Sequence, residues 1–168
     1  MSEKRISLFP KIRATIDFLE KTVLSLLLLA MIGLACLQIV MRNIFSSGFA
    51  DAESILRMMV LWVGLLGAIA ASRSHKHIAI DVITRVLSDD VKRVVHTFIY
   101  LFVATVCTII TWHATRFVAM EFEAGEVAFG SVPAWITELI LPFAFGTIAL
   151  HYFAATIESV AALIRGKA

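Results

Sequence analysis

Formal charge is scarce in this 168-residue chain, and its scarcity bounds what the chain can be. Asp, Glu, Lys and Arg make up 17% of the residues, against roughly 25% in soluble domains. Thr22 to Met41 is twenty residues without a formal charge. At about 1.5 Å of rise per residue, such a run covers roughly 30 Å, the hydrocarbon thickness of a bilayer. Three further stretches, 54–72, 94–115 and 135–164, are also predominantly apolar, and mean hydropathy is +0.88. These features exclude an ordinary soluble domain. They predict an all-α integral membrane protein, with four transmembrane helices in one domain over residues 1–168. The segments left between the runs are too short for a soluble catalytic domain, so no enzyme activity is expected.

Other shortages sharpen this. Gln38 is the one strongly polar side chain of the first run, and the third has no carboxylate. Glu138 and Glu158 fall near opposite ends of the fourth. A carrier coupled to protons or ions needs an ionisable group or unwound backbone at the midplane, so this chain alone is not expected to move an anion. The leader before the first run is long and mixed in charge, which argues against a cleaved signal peptide. The two cysteines, Cys36 and Cys107, count to a similar depth. They are expected as small buried thiols that could be neighbours across a helix interface.

The charge that is present has a pattern. Twelve of the 15 Lys and Arg residues precede span one, separate spans two and three, or follow span four. Only Arg42, Arg57 and Arg116 lie on the other side. Positive charge stays cytoplasmic, which predicts both termini inside. Trp62, Trp112 and Trp135 then fall in the outer thirds of their spans, at the interface indoles prefer. Residues 9–21 and 78–87 each show an apolar stripe at helical spacing opposite a polar one. Both are predicted amphipathic helices at the cytoplasmic interface. Ser88 suits an N-cap for span three, and Ser131 with Pro133 suits the opening of span four.

Several positions suggest contacts rather than chemistry. Glu53 and Arg57 are an i, i+4 pair at the outer start of span two. Gly64-x-x-x-Ala68 and Gly67-x-x-x-Ala71 are overlapping small-residue ridges of the kind that let helices approach closely in lipid. Pro142 cannot donate to the Glu138 carbonyl, so a kink or break is expected there. Glu121, Glu123 and Glu126, with Gly125 and Gly130, predict an acidic outer loop suited to docking a soluble partner. Three histidines raise haem ligation. His96 and His113 are seventeen residues apart, about 25 Å along one helix, so they cannot share one iron. His151 does not match His96 in depth, and hydrogen-bonded interhelical histidines are the stronger expectation.

Arg42-Asn43-Ile44-Phe45, Ala52-Glu53-Ser54-Ile55-Leu56-Arg57, Trp62-Val63-Gly64-Leu65-Leu66-Gly67-Ala68, Ala70-Ala71-Ser72-Arg73 and His77-Ile78-Ala79-Ile80-Asp81 occur in that order. This block resembles the small membrane subunit, DctQ/SiaQ type, of tripartite ATP-independent periplasmic (TRAP) transporters. The resemblance implies a non-catalytic scaffold in the bacterial inner membrane. Its partner would be a large membrane subunit that binds sodium and substrate and moves as an elevator. A periplasmic substrate-binding protein would deliver organic acid anions, C4-dicarboxylates or sialic acid. By the same resemblance, Arg42 marks the outer end of span one, and Glu53 and Arg57 anchor the start of span two. Arg73, His77 and Asp81 organise the cytoplasmic turn into the brace, and Gly64 and Gly67 face a partner. No cofactor, metal or nucleic acid is expected; sodium belongs to the large subunit, and lipid surrounds the chain.

The rival from another class is a haem-bearing anchor subunit of a membrane oxidoreductase. Purified protein is expected to show no Soret band, and a Soret band at stoichiometric intensity would favour the anchor.

Overall fold

The computed structural model describes residues 3–44, 51–74 and 89–164. Helix α1 runs from Glu3 to Ile44, α2 from Ala52 to Ser74 and α3 from Asp89 to Ala124. A hairpin of β1 (Val127–Phe129) and β2 (Val132–Pro133) follows, then α4 (Ala134–Glu138) and α5 (Ile140–Ile164). Four stretches among the described residues are long and apolar enough to cross a membrane: Phe18–Ile44, Ala52–Arg73, Val94–Ala124 and Ala134–Ala161. The fold class is therefore all-α and membrane-spanning. The predicted horizontal helix over 78–87, with His77 and Asp81, lies outside the described residues.

Two helices are longer than the apolar runs that define them. Helix α1 passes without a break through residue 21, so the segment expected as a separate amphipathic helix continues the first span backwards. No glycine or proline interrupts residues 11–32, and helix propagation adds one hydrogen bond per residue once the span exists. Helix α3 continues nine residues beyond Thr115, because nothing between Arg116 and Ala124 breaks it. It stops at Gly125, which takes the left-handed φ of 66° that closes a helix, its N–H bonding the Glu121 carbonyl at 3.1 Å.

The helices form a row rather than a closed bundle. Helix α3 packs along α5, α5 along α2, and α2 along α1, giving the order α1–α2–α5–α3. The core lies at the α3–α5 seam, where Ala104 and Ala144 are completely buried with Cys107, Ile148 and Tyr152 around them. Small residues face each other there because helices in lipid gain affinity from close backbone approach, not from hydrophobic exclusion. Helix α1 is the edge of the row, and no residue of its most apolar window is buried within the chain. Cys36 is exposed on this edge helix while Cys107 sits in the α3–α5 core, so the two thiols are not neighbours and only one is buried.

Hydroxyls within the spans are satisfied locally. Thr105, Thr108, Thr111 and Thr115 of α3 each donate to the carbonyl four residues back, at 2.7–2.8 Å. Back-bonding of this kind lets a hydroxyl face lipid without an unmet donor. Replacing Ala104 by Leu is expected to overpack the α3–α5 seam and cost about 1–3 kcal/mol. Phe102→Leu, on the 61% exposed surface of the same helix, should stay within about 0.5 kcal/mol. Detergent-based unfolding followed by far-ultraviolet circular dichroism distinguishes the two.

Candidate partner-binding surfaces

One face of α2 is exposed from end to end. Glu53, Arg57, Val60, Gly64 and Ala68 follow at spacings of three and four residues, and all are exposed. A Cβ placed on Gly64 or Gly67 would meet nothing within 4 Å. The small-residue ridges predicted from the sequence therefore close no helix contact inside this chain. At one end of the stripe, Arg57 Nη2 donates to Glu53 Oε1 at 2.9 Å, as the i, i+4 spacing predicted. Both side chains are about three-quarters exposed, so the pair contributes little stability in water. Arg42, at the same end of α1, is also exposed.

Arg73 meets a residue that sequence reasoning left on the polar face of the N-terminal helix. Its Nη1 donates to Glu20 Oε2 at 3.0 Å, tying the far end of α2 to the start of the first span. Glu20 is 14% exposed and Arg73 30%, so this pair is better shielded than Glu53–Arg57. The spacing of 53 residues left no local pattern to find it by.

The hairpin end is built around the interrupted fourth span. Pro142 has no N–H for the Glu138 carbonyl, and the helix breaks at Leu139 between α4 and α5, where the proline predicted it. The indole N–H of Trp62 reaches across from α2 and donates to the neighbouring Thr137 carbonyl at 2.9 Å. Trp62 thus supplies a donor to backbone at the break, a role beyond that of an interfacial aromatic. The Glu138 Oε2 atom is buried and has no hydrogen-bond partner among the described residues. Glu121 and Glu126 lie close enough to act on it electrostatically.

The acidic segment is more ordered than a solvated loop. Glu121 and Glu123 ride on the last turns of α3, while Glu126 stands between α3 and the hairpin; Glu123 and Glu126 are exposed and Glu121 is half-buried. Gly130 turns the hairpin with φ 55°. The Ala134 N–H bonds the Glu126 carbonyl at 2.9 Å, and Trp135 meets the edge of Phe122 at 5.5 Å between centroids. Helix α4 opens after Pro133 at the N-cap position, without a side-chain cap, so Ser131 does not serve as one.

The histidines are separated. His151 Nδ1 is 2.8 Å from Ser72 Oγ, an interhelical hydrogen bond of the kind expected. His96 contacts Tyr100 edge-on at 5.9 Å, and His113 is exposed. Among the described residues, no three His, Cys, Asp or Glu side chains are grouped to hold a metal ion.

Comparison with known proteins gives a consistent direction. The family model for the DctQ component of tripartite ATP-independent periplasmic transporters matches residues 31–162. A protein of Haemophilus influenzae (strain 86-028NP) named sialic acid TRAP transporter permease protein SiaT is 30% identical over 88 residues. That match covers 52% of this chain and 14% of the relative. A second relative, from Haemophilus influenzae (strain ATCC 51907 / DSM 11121 / KW20 / Rd), is provisionally named a TRAP transporter small permease protein. It is 28% identical over 110 residues, covering 66% of this chain and 64% of its own length. The chain therefore spans less than two thirds of either relative.

Trp62→Phe keeps the ring and removes the N–H, which is expected to cost about 1 kcal/mol. Amide exchange should accelerate across residues 134–141 and stay unchanged in α1; unchanged exchange around the break would show that the indole bond is not what holds it.

Proposed function

The chain belongs to the family of DctQ components of tripartite ATP-independent periplasmic transporters, and from that premise we propose that it is a non-catalytic scaffold subunit of such a transporter in the bacterial inner membrane. Its partners are a large, elevator-type membrane subunit that carries sodium and substrate and a periplasmic substrate-binding protein. The observation that carries this reading is the row of four helices. Among the described residues, an open row leaves whole helix faces exposed instead of closing four helices around a common centre, which suits a stationary wall better than a carrier.

The exposed α2 face is the proposed seat of the large subunit. Gly64, Gly67 and Ala68 would let a partner helix approach closely, and Glu53–Arg57 would fix its depth at one end. Both termini are cytoplasmic in this reading, from the asymmetry of Lys and Arg, so the hairpin and its acidic residues face the periplasm. Glu123 and Glu126 then offer negative charge to the binding protein. The transported solute is an organic acid anion. The relative named as a sialic acid permease points to sialic acid ahead of C4-dicarboxylates.

Reconstitution tests this directly. Sodium-driven uptake is expected only when this chain, the large subunit and the binding protein are together, and uptake by this chain alone would refute the scaffold role. Gly64→Leu should reduce co-purification of the large subunit by at least about tenfold, since a leucine blocks close helix approach. Leu28→Ala, on the exposed edge helix, should leave it unchanged.

A further inference from the structure

Helix α3 ends the row opposite α1, packing on α5 and α4 with its other side exposed. Phe98, Phe102, Ile109, Trp112 and Arg116 follow one another on that side at spacings of three, four and seven residues, and all are exposed. From Phe98 to Ile109 the face is bulky and apolar. The Thr105 hydroxyl between them is bonded to the Leu101 carbonyl of its own helix at 2.8 Å. Gly64 and Ala68 make the exposed face of α2 shallow, whereas the side chains of Phe98, Phe102 and Ile109 hold a neighbouring backbone at a distance. The α3 face therefore fits acyl chains better than a partner helix.

Beyond Ile109 the chemistry of the face changes. Trp112, His113 and Arg116 stand within about 6 Å of helix rise, where the apolar run of residues 94–115 ends. All three are exposed, and among the described residues none of their side chains has a hydrogen bond or an ion pair. An indole N–H and a guanidinium can only donate, and an imidazole can donate too. The band thus offers donors without acceptors at the edge of the hydrocarbon.

We propose that this face of α3 seats one phospholipid, its phosphodiester held by Arg116 and Trp112 with His113 beside them, and an acyl chain lying along Ile109 and Phe102. A phosphodiester accepts hydrogen bonds and carries negative charge, so it complements a band that donates and is positive. The guanidinium fork of Arg116 matches two phosphate oxygens at once. Dimensions agree as well. From Trp112 down to Phe102 the helix covers about 15 Å, half of a hydrocarbon core of roughly 30 Å, which is the depth of one leaflet. Arg116 lies about 6 Å further out, at headgroup level. Glu123, on the same side of α3, is about 10 Å beyond Arg116, more than a Debye length of roughly 8 Å, so its charge opposes the phosphate only weakly. In the orientation proposed above the lipid belongs to the periplasmic leaflet, but the seat depends neither on that orientation nor on the scaffold reading.

Native mass spectrometry of the full chain, with added dioleoylphosphatidylglycerol or dioleoylglycerol, tests the seat. One phospholipid per chain should be retained, while the phosphate-free diacylglycerol is not. Arg116→Gln should weaken retention about tenfold, and Trp112→Phe, which keeps the ring and loses the N–H, about fivefold. Both side chains are exposed, so neither change disturbs the α3–α5 core. Lys21→Gln removes an exposed cation from the other end of the spans and should leave retention unchanged. Equal retention by wild type and Arg116→Gln, or equal binding of diacylglycerol, would overturn the proposal. A loss with Lys21→Gln as large as with Arg116→Gln would do the same, because bulk charge rather than a seat would then hold the lipid. In the complex with the large subunit, a photo-cross-linking residue at position 109 should capture lipid; capture of polypeptide alone would show that a protein covers this face and sink the assignment.

Discussion

Helices already dissolved in lipid gain nothing from further hydrophobic exclusion, so what joins them must be close backbone approach or polar groups with nowhere else to go. Both are visible where this chain holds together. Ala104 and Ala144 bring α3 and α5 together with no exposed surface left on either residue. Ser72 with His151, Thr97 with Ser159 at 2.6 Å, and Trp62 with the Thr137 carbonyl tie the neighbouring helices. Where neither device is present the helices have open faces, and the result is a row.

The openness of that row links packing to function. A closed four-helix bundle would have used its small residues internally. Here the glycines of α2 are left on a surface, while the opposite side of the same helix is grooved and ends in an ion pair. One helix therefore presents two chemically different faces, one flat and small, the other concave and apolar with charge at its mouth. In the proposed scaffold role, the small-residue face is the one offered to a protein partner.

The hairpin end shows how a helix break is accommodated. A proline in the fourth span releases backbone carbonyls that lipid cannot satisfy. An indole from a different helix supplies one donor, to the Thr137 carbonyl, and Leu139 N–H still bonds the Trp135 carbonyl across the interruption. Glu121, Glu123 and Glu126 are positioned by this construction rather than left on a loose loop. The break was legible from Pro142 alone. Its partner was not, since nothing local to Trp62 names a carbonyl 75 residues away. Extension of α3 through Ala124 was missed because the expected end followed the end of hydropathy, whereas a helix ends where a residue such as Gly125 ends it.

What the sequence determined by itself is whatever depends on short-range spacing and on transfer from water to lipid. Four spans, the proline break, the Glu53–Arg57 pair and the small-residue ridge all follow from residues within a few turns of each other. The tertiary structure decided which faces meet. It set the helix order, buried Cys107 but not Cys36, paired Arg73 with Glu20 and left Gly64 uncovered. Apolar periodicity carries no such information in a membrane, because a lipid-facing leucine and a helix-facing leucine are equally well solvated, and only complementary shape and paired polar atoms tell them apart.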